Sequence, residues 1–159
     1  KSDESRVRYR TRIELSNRDT DEVIAGVDRW LTELQESDPQ YEHHMLEGLW
    51  VHQQHHVVNE QLLKRMLRSP DYRARAAATR VLGYWRDDVK EPLELLTEQV
   101  ADEHQRVRLE AVRACSFFKH ADAMDVATAA LEHPVDDYLQ YTLDQTVKTL
   151  EKYFADEER

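Results

Sequence analysis

Apolar residues recur along the chain at helical spacing, in blocks that repeat. In "RVRLEAVRACSFF" (106–118), Val107, Ala111, Ala114, Cys115 and Phe118 fall on one stripe of an amphipathic helix. "RARAAATRVLGYW" (73–85) lies over that block at a spacing of 33, and "YLQYTLDQTVKTL" (138–150) follows it at 32. Upstream, "MLEGLWVHQQH" (45–55) lies over residues 108–118 at a spacing of 63, mainly on a Leu-Glu-small match. Four copies at 31–33 residues are an internal repeat.

Each block is preceded by a second apolar helix. Val23, Ile24, Val27, Trp30, Leu31 and Leu34 share a face, as do Leu62, Leu63, Met66 and Leu67. Leu93, Leu96 and Val100 form the third such face, and Ala127, Ala130 and Leu131 the fourth. Turn signals separate the helices: Pro39, Ser69-Pro70-Asp71, Asp102-Glu103 and His133-Pro134. Pro92 fits a first helical turn, and Asn59 and Thr20 fit N-caps.

One helix pair cannot bury its own apolar stripe, so neighbouring pairs must stack into a curved array. The turn and helix "SPDYRARAAATRVL" resembles the HEAT repeat, whose second helix opens with an Asp-Pro turn and a Val-Arg pair. Asp71, Arg75 and Arg106-Val107-Arg108 fill those places here. The expected fold is all-α: an α-α superhelix, a HEAT-like solenoid of about four helix pairs over residues 19–159. Arg75 and Arg108 are expected to hydrogen-bond between repeats to turn acids such as Asp71 and Asp102.

Residues 1–18 break the pattern. "RVRYRTRIEL" (6–15) alternates Val7, Tyr9, Thr11, Ile13 and Leu15 with four arginines and Glu14, the period of a half-buried strand. An orphan strand whose sheet lies elsewhere, an arm packed on the first repeat and a helical extension compete. The strand or the packed arm is the preferred reading.

Composition narrows the function. Three glycines and four prolines leave little room for β-turns, and 34% charged residues suit long solvated helices. A net charge of −10 argues against a phosphate-backbone binder despite Arg6, Arg8, Arg10 and Arg12. No run approaches the roughly 18 apolar residues of a membrane span. The first residue is not Met and no signal-peptide pattern follows, so the chain reads as a segment of something longer. Cys115 is the sole cysteine and aligns with apolar positions, a core residue more than a nucleophile.

Two constellations could carry chemistry. Five of eight histidines lie in residues 43–56: His43, His44, His52, His55 and His56. In the repeat register His52 aligns with Leu82, Cys115 and Val147, and His55 with Trp85, Phe118 and Leu150, which makes both inward-facing and hydrogen-bonded. The rival is a metal- or haem-binding module in which His52 and His56, four apart, present two imidazoles on one helical face. No third ligand stands at a matching offset, so neither metal nor cofactor is expected in this segment.

The second constellation is a stripe on the second helices. Arg73 and Arg80 align with Arg106 and Arg113, seven residues apart in each copy, and the outer copies contribute His43 and Trp50, then Tyr138 and Gln145. Arg, Trp and Tyr are enriched at binding hot spots. Arg73, Arg80, Arg106, Arg113, Trp50 and Tyr138 are therefore candidates for binding a protein. The bland alternative pairs these arginines with Glu47, Glu110 and other acids on a solvated face. A HEAT-like DNA glycosylase is a third possibility, opposed by the acidic charge.

The run "RYRTRIELSNRDTDEV" (8–23) together with "YEHHMLEGLWVHQQHHVVNEQLLKRMLRSPDYRARAAATRVLGYWRD" (41–87) is similar to the helical-repeat region of large bacterial multidomain c-type cytochromes, the PVC-type haem-binding or membrane-bound dehydrogenase-like proteins. The resemblance implies a β-propeller before this segment, a cytochrome c domain after it, and export to the periplasm. It makes the orphan strand the exit from a propeller, and the partners either neighbouring domains of one polypeptide or a redox partner. No CxxCH occurs here, so any haem c would lie elsewhere in the parent protein. The expectation is a non-catalytic scaffold.

Overall fold

The computed structural model describes residues 3–157, with side chains from 6 to 153, and all its regular structure is helical. Residues 1–2 of the expected arm and 158–159 of the expected repeat domain lie outside the described residues. In chain order the helices are α1 (Asp3–Ser16), α2 (Thr20–Glu33), α3 (Tyr41–Gln54), α4 (Glu60–Leu67) and α5 (Tyr72–Tyr84). They continue with α6 (Pro92–Val100), α7 (Gln105–Cys115), α8 (Asp122–Thr128), a 3₁₀ turn (Ala129–Glu132) and α9 (Asp137–Glu157). The pairs α2/α3, α4/α5, α6/α7 and α8/α9 are the four expected repeats, and the second helices stack in order, α3 on α5, α5 on α7, α7 on α9.

The stacking follows from the stripes. Leu49, Leu82 and Val107 on the second helices, and Leu63, Met66 and Leu96 on the first, are fully buried. Each such aliphatic side chain contributes roughly 1.5–3 kcal/mol on burial. Gly83 lets α5 pack close to α7, since an added Cβ there would stand 3.1 Å from the Cβ of Ala114. Asn59 caps α4 as expected, its side chain accepting from the Leu62 amide, and Pro92 opens α6. The α2 cap is Asp19, not Thr20, its carboxylate accepting from the Glu22 amide. A carboxylate at that position also meets the positive end of the helix dipole. Thr20 instead meets His55, its hydroxyl 3.2 Å from Nδ1.

Buried arginines stitch successive turns together. Arg75 donates to both carboxylate oxygens of Asp102 at 2.7 and 3.0 Å, and to the Ser69 carbonyl at 2.9 Å. Thus one guanidinium ties the 69–71 turn to the 102–103 turn. Arg108 does the same one repeat later, donating to the carbonyls of Asp102 at 2.8 Å and Pro134 at 2.7 Å. Arg75 meets a turn acid as expected, whereas Arg108 uses carbonyls and Asp71 caps α5. The planar fork of arginine, with its five donors, suits this bridging.

Residues 3–16 are a helix, which corrects the strand reading. No second strand exists among the described residues to satisfy a strand's backbone, so the segment satisfies its own. The strict alternation then scatters apolar groups around the helix, and Val7, Tyr9 and Ile13 stay exposed. The helix α1 meets α3 through polar contacts: Arg12 donates to Glu47 at 2.6 Å, and the Gln54 amide donates to the Arg12 carbonyl at 2.9 Å. Arg8 Nη1 lies 3.4 Å from His43 Nε2.

Candidate binding face on the second helices

On α5, Ala74, Ala78, Val81 and Leu82 point into the core, which leaves Arg73 and Arg80 on the opposite side. The same logic on α7 buries Val107, Ala111 and Ala114 and presents Arg106 and Arg113. Between these arginines sits Glu110, only 4% exposed. Arg80 donates to both of its oxygens, through Nε at 3.1 Å and through Nη2. Arg106 Nε stands 3.7 Å from the same carboxylate, and Arg113 Nη1 3.6 Å. Its hydrogen bonds to Glu110 push the Arg80 guanidinium further up, so it is a permanent charge. Three guanidinium groups therefore share one carboxylate. The pairing that the bland reading requires is present, but it neutralises one charge of three.

Aromatic groups frame this cluster. Arg73 lies over the Tyr72 ring at 5.5 Å, and Arg113 over Phe117 at 5.6 Å. Tyr72 stacks on His104 of the next repeat with centroids 3.5 Å apart and planes 6° apart. Two hollows result. Trp50, Arg73, Arg80, Arg106 and Glu110 line one of about 380 Å³. Arg106, Tyr72, His104 and Tyr138 line the next, of about 400 Å³. Of the six predicted residues, four share the first hollow, Tyr138 joins Arg106 in the second, and Arg113 reaches the cluster through Glu110. Tyr138 is 77% exposed. Tyr72 and His104 were missed. In the 33-residue register Tyr72 falls on Gln105 and His104 on Asp71, so the two are not equivalent positions, and the stack depends on the curvature of the array, which no single copy encodes.

The histidines divide. His52 is 1% exposed, with Nε2 3.0 Å from Asp28 Oδ1 of α2 and 3.3 Å from Asn59 Nδ2. His55 forms the C-cap of α3, and His56 beyond it takes a left-handed φ of 55°. The helix ends at Gln54, so the i, i+4 relation of His52 and His56 no longer places them on one helical face. That corrects the geometry on which the metal reading rested. Among the described residues no three His, Cys, Asp or Glu side chains are grouped to hold an ion. His43 turns to Glu47 at 3.3 Å and to α1, away from the second-helix hollows. Burial pushes the Cys115 thiol up to about 12, so it stays protonated in the core. Among the described residues no helix is long and apolar enough to cross a membrane.

Residues 59–156, more than half of the chain, match the family model described as HEAT repeats. No characterised protein and no solved structure matches the chain.

Proposed function

The chain belongs to the HEAT-repeat family, whose modules are in general non-catalytic interaction scaffolds, and from that premise we propose that it docks a protein partner on the face of α3, α5, α7 and α9. The observation that carries this reading is the sharing of one buried carboxylate, Glu110, by Arg80, Arg106 and Arg113. Surplus cationic charge between exposed aromatics is costly to maintain for stability alone, yet it matches the composition of binding hot spots. The finer setting we propose is that of the resembled cytochromes. There the array holds a propeller and a haem c domain of one exported, periplasmic polypeptide in fixed relation, or seats a redox partner, with haem c carried outside this segment. Support for that setting is the likeness of residues 8–23 and 41–87, quoted above.

A photo-crosslinking amino acid placed at Trp50 or at Tyr138 tests the docking face in the native cell. Both positions are expected to capture the same polypeptide, or the same neighbouring domain, while Glu98 on a first helix captures neither. Equal capture from both faces would remove the assignment. A haem stain and the reading frame of the full-length product test the setting: a CxxCH site in the same polypeptide is the expected result.

A further inference from the structure

The docking face has a make-up that selects the class of segment it receives. Its two hollows adjoin, since Tyr72 and Arg106 line both. In the first, Arg73, Arg80 and Arg106 face one carboxylate, that of Glu110. Arg80 holds this carboxylate with two hydrogen bonds. Arg106 and Arg113 stand 3.7 and 3.6 Å from it, beyond hydrogen-bond reach, with side chains 60% and 43% exposed. Arg73 leans over the Tyr72 ring at 5.5 Å, and its hydrogen bond to Tyr72 holds it above the usual arginine range. Asp71 beside it is taken up in capping α5. A guanidinium carries five donors, so these three keep most of theirs for a ligand.

The second hollow has a different balance. Asp136 lines it with Arg106, and that carboxylate is already engaged, accepting from the Leu139 amide at 2.8 Å at the start of α9. The remaining wall is apolar and aromatic: Leu109, Tyr138 and the Tyr72 ring stacked on His104. The floor of the first hollow is aliphatic, formed by Ala76, Ala77 and Val81 beside Trp50. A glutamate side chain suits it, with its methylenes on those alanines and its carboxylate at the guanidinium rim. Gln53 adds a primary amide to the wall, a donor and an acceptor side by side, which matches a passing peptide group. Packed helices stand roughly 8–10 Å apart and an extended chain advances about 3.3 Å per residue. Neighbouring hollows therefore take side chains about three residues apart.

Resting on the docking reading above, we propose that the partner presents an extended acidic segment to this face. Its glutamates meet Arg73 and Arg106 over the first hollow. An aromatic side chain about three residues away fills the second, against Leu109 and Tyr138. The charge match commits the site to a short acidic stretch of protein. The continuous phosphates of a nucleic acid would run onto the remainder of a chain of net charge −10.

The probe is a capped, fluorescently labelled peptide with two adjacent glutamates and a phenylalanine three residues on, titrated with the purified chain by anisotropy. Saturable binding is expected, weakened at least tenfold by glutamine at both glutamates or by alanine at the phenylalanine. Arg73→Gln should weaken the glutamate peptide at least tenfold and leave the glutamine peptide unchanged, while Arg68→Gln, on the first-helix side, changes neither. Tyr138→Ala should discriminate in the same way between the phenylalanine and alanine peptides. Arg73 and Tyr138 are exposed, so both replacements should keep the thermal midpoint. Independently, the partner fragment crosslinked from Trp50 should carry acidic residues beside an aromatic one. Absence of saturable binding, equal affinity of the glutamine peptide, or tighter binding of a phosphoserine peptide or a single-stranded oligonucleotide would overturn the proposal. A neutral or basic crosslinked fragment would overturn the acidic class while the docking face stands. Capture from Glu98 as readily as from Trp50 would remove the docking reading, and the proposal with it.

Discussion

Arg75 shows how a single side chain can carry a repeat junction. Its guanidinium and the Asp102 carboxylate are both about nine-tenths buried, and between them they satisfy two turns. Removing one partner strands the other's charge, which for a buried pair costs about 3–5 kcal/mol. Arg75→Ala is expected to lose about 3 kcal/mol in urea denaturation, and a thermal midpoint loss of roughly 6–12 °C follows for a chain of this size. A loss below about 1 kcal/mol would mean that the turns hold without the bridge. Glu42 provides the acid limb of stability. Its hydrogen bonds from Arg65, and then from Ser69, hold its carboxyl below the ordinary glutamate range against the opposing effect of burial. A carboxyl depressed on folding stabilises the protein above its unfolded value, about 4.3, and that contribution is lost as pH falls through the lower folded value. Thermal midpoints measured from pH 6 to pH 3 should therefore fall more steeply for the native chain than for Glu42→Gln. Equal slopes would remove Glu42 from the account. His52 belongs at this scale as well. It stands where other copies place Leu82 and Cys115 because its Nε2 reaches Asp28 across the pair, and His55 reaches Thr20 likewise. These two contacts tie α2 to α3 in the first repeat, where Trp30 of the first-helix stripe is 37% exposed; Leu131 of the fourth repeat's stripe is likewise uncovered, at 55%.

At the scale of elements, the helical stripes of the four repeats were legible because burial on one side imposes a 3.6-residue period that survives in composition. Val107, Ala111, Ala114 and Cys115 are all buried as their spacing required. The α1 segment was misread for the complementary reason. A period of two reports strand only when a sheet consumes it, and Val7, Tyr9 and Ile13 have no sheet to face. The end of α3 was hidden too, because nothing in "HQQHH" distinguishes a continuing helix from the left-handed turn at His56, where no glycine marks the stop. The polar, one-edged attachment of α1 predicts its behaviour. Amide exchange in α1 should be faster than in α5 and α7, and Arg12→Ala should accelerate it further while leaving α5 and α7 unchanged. Protection of α1 equal to that of α7 would contradict the attachment described.

For the whole molecule, the docking account joins charge to curvature. A chain of net charge −10 gathers Arg73, Arg80, Arg106 and Arg113 on one face with a single buried counter-charge. The stripe itself was readable from the seven-residue spacing, copy over copy. The hollows between copies were not, because Tyr72 on His104 and Arg80 on Glu110 are contacts across the stacking interface. Opposite charges at such a face steer association and are screened by salt. The most direct measurement is calorimetric titration of the polypeptide captured at Trp50, or its isolated domain, against the native chain and the double variant Arg73→Glu/Arg106→Glu. Arg68→Glu on the first-helix side serves as the control. The double variant should bind at least about a hundredfold more weakly, two hot-spot losses of about 1.4 kcal/mol each, with Arg68→Glu unchanged. Equal affinity of the native chain and the double variant would contradict the assignment of the docking face.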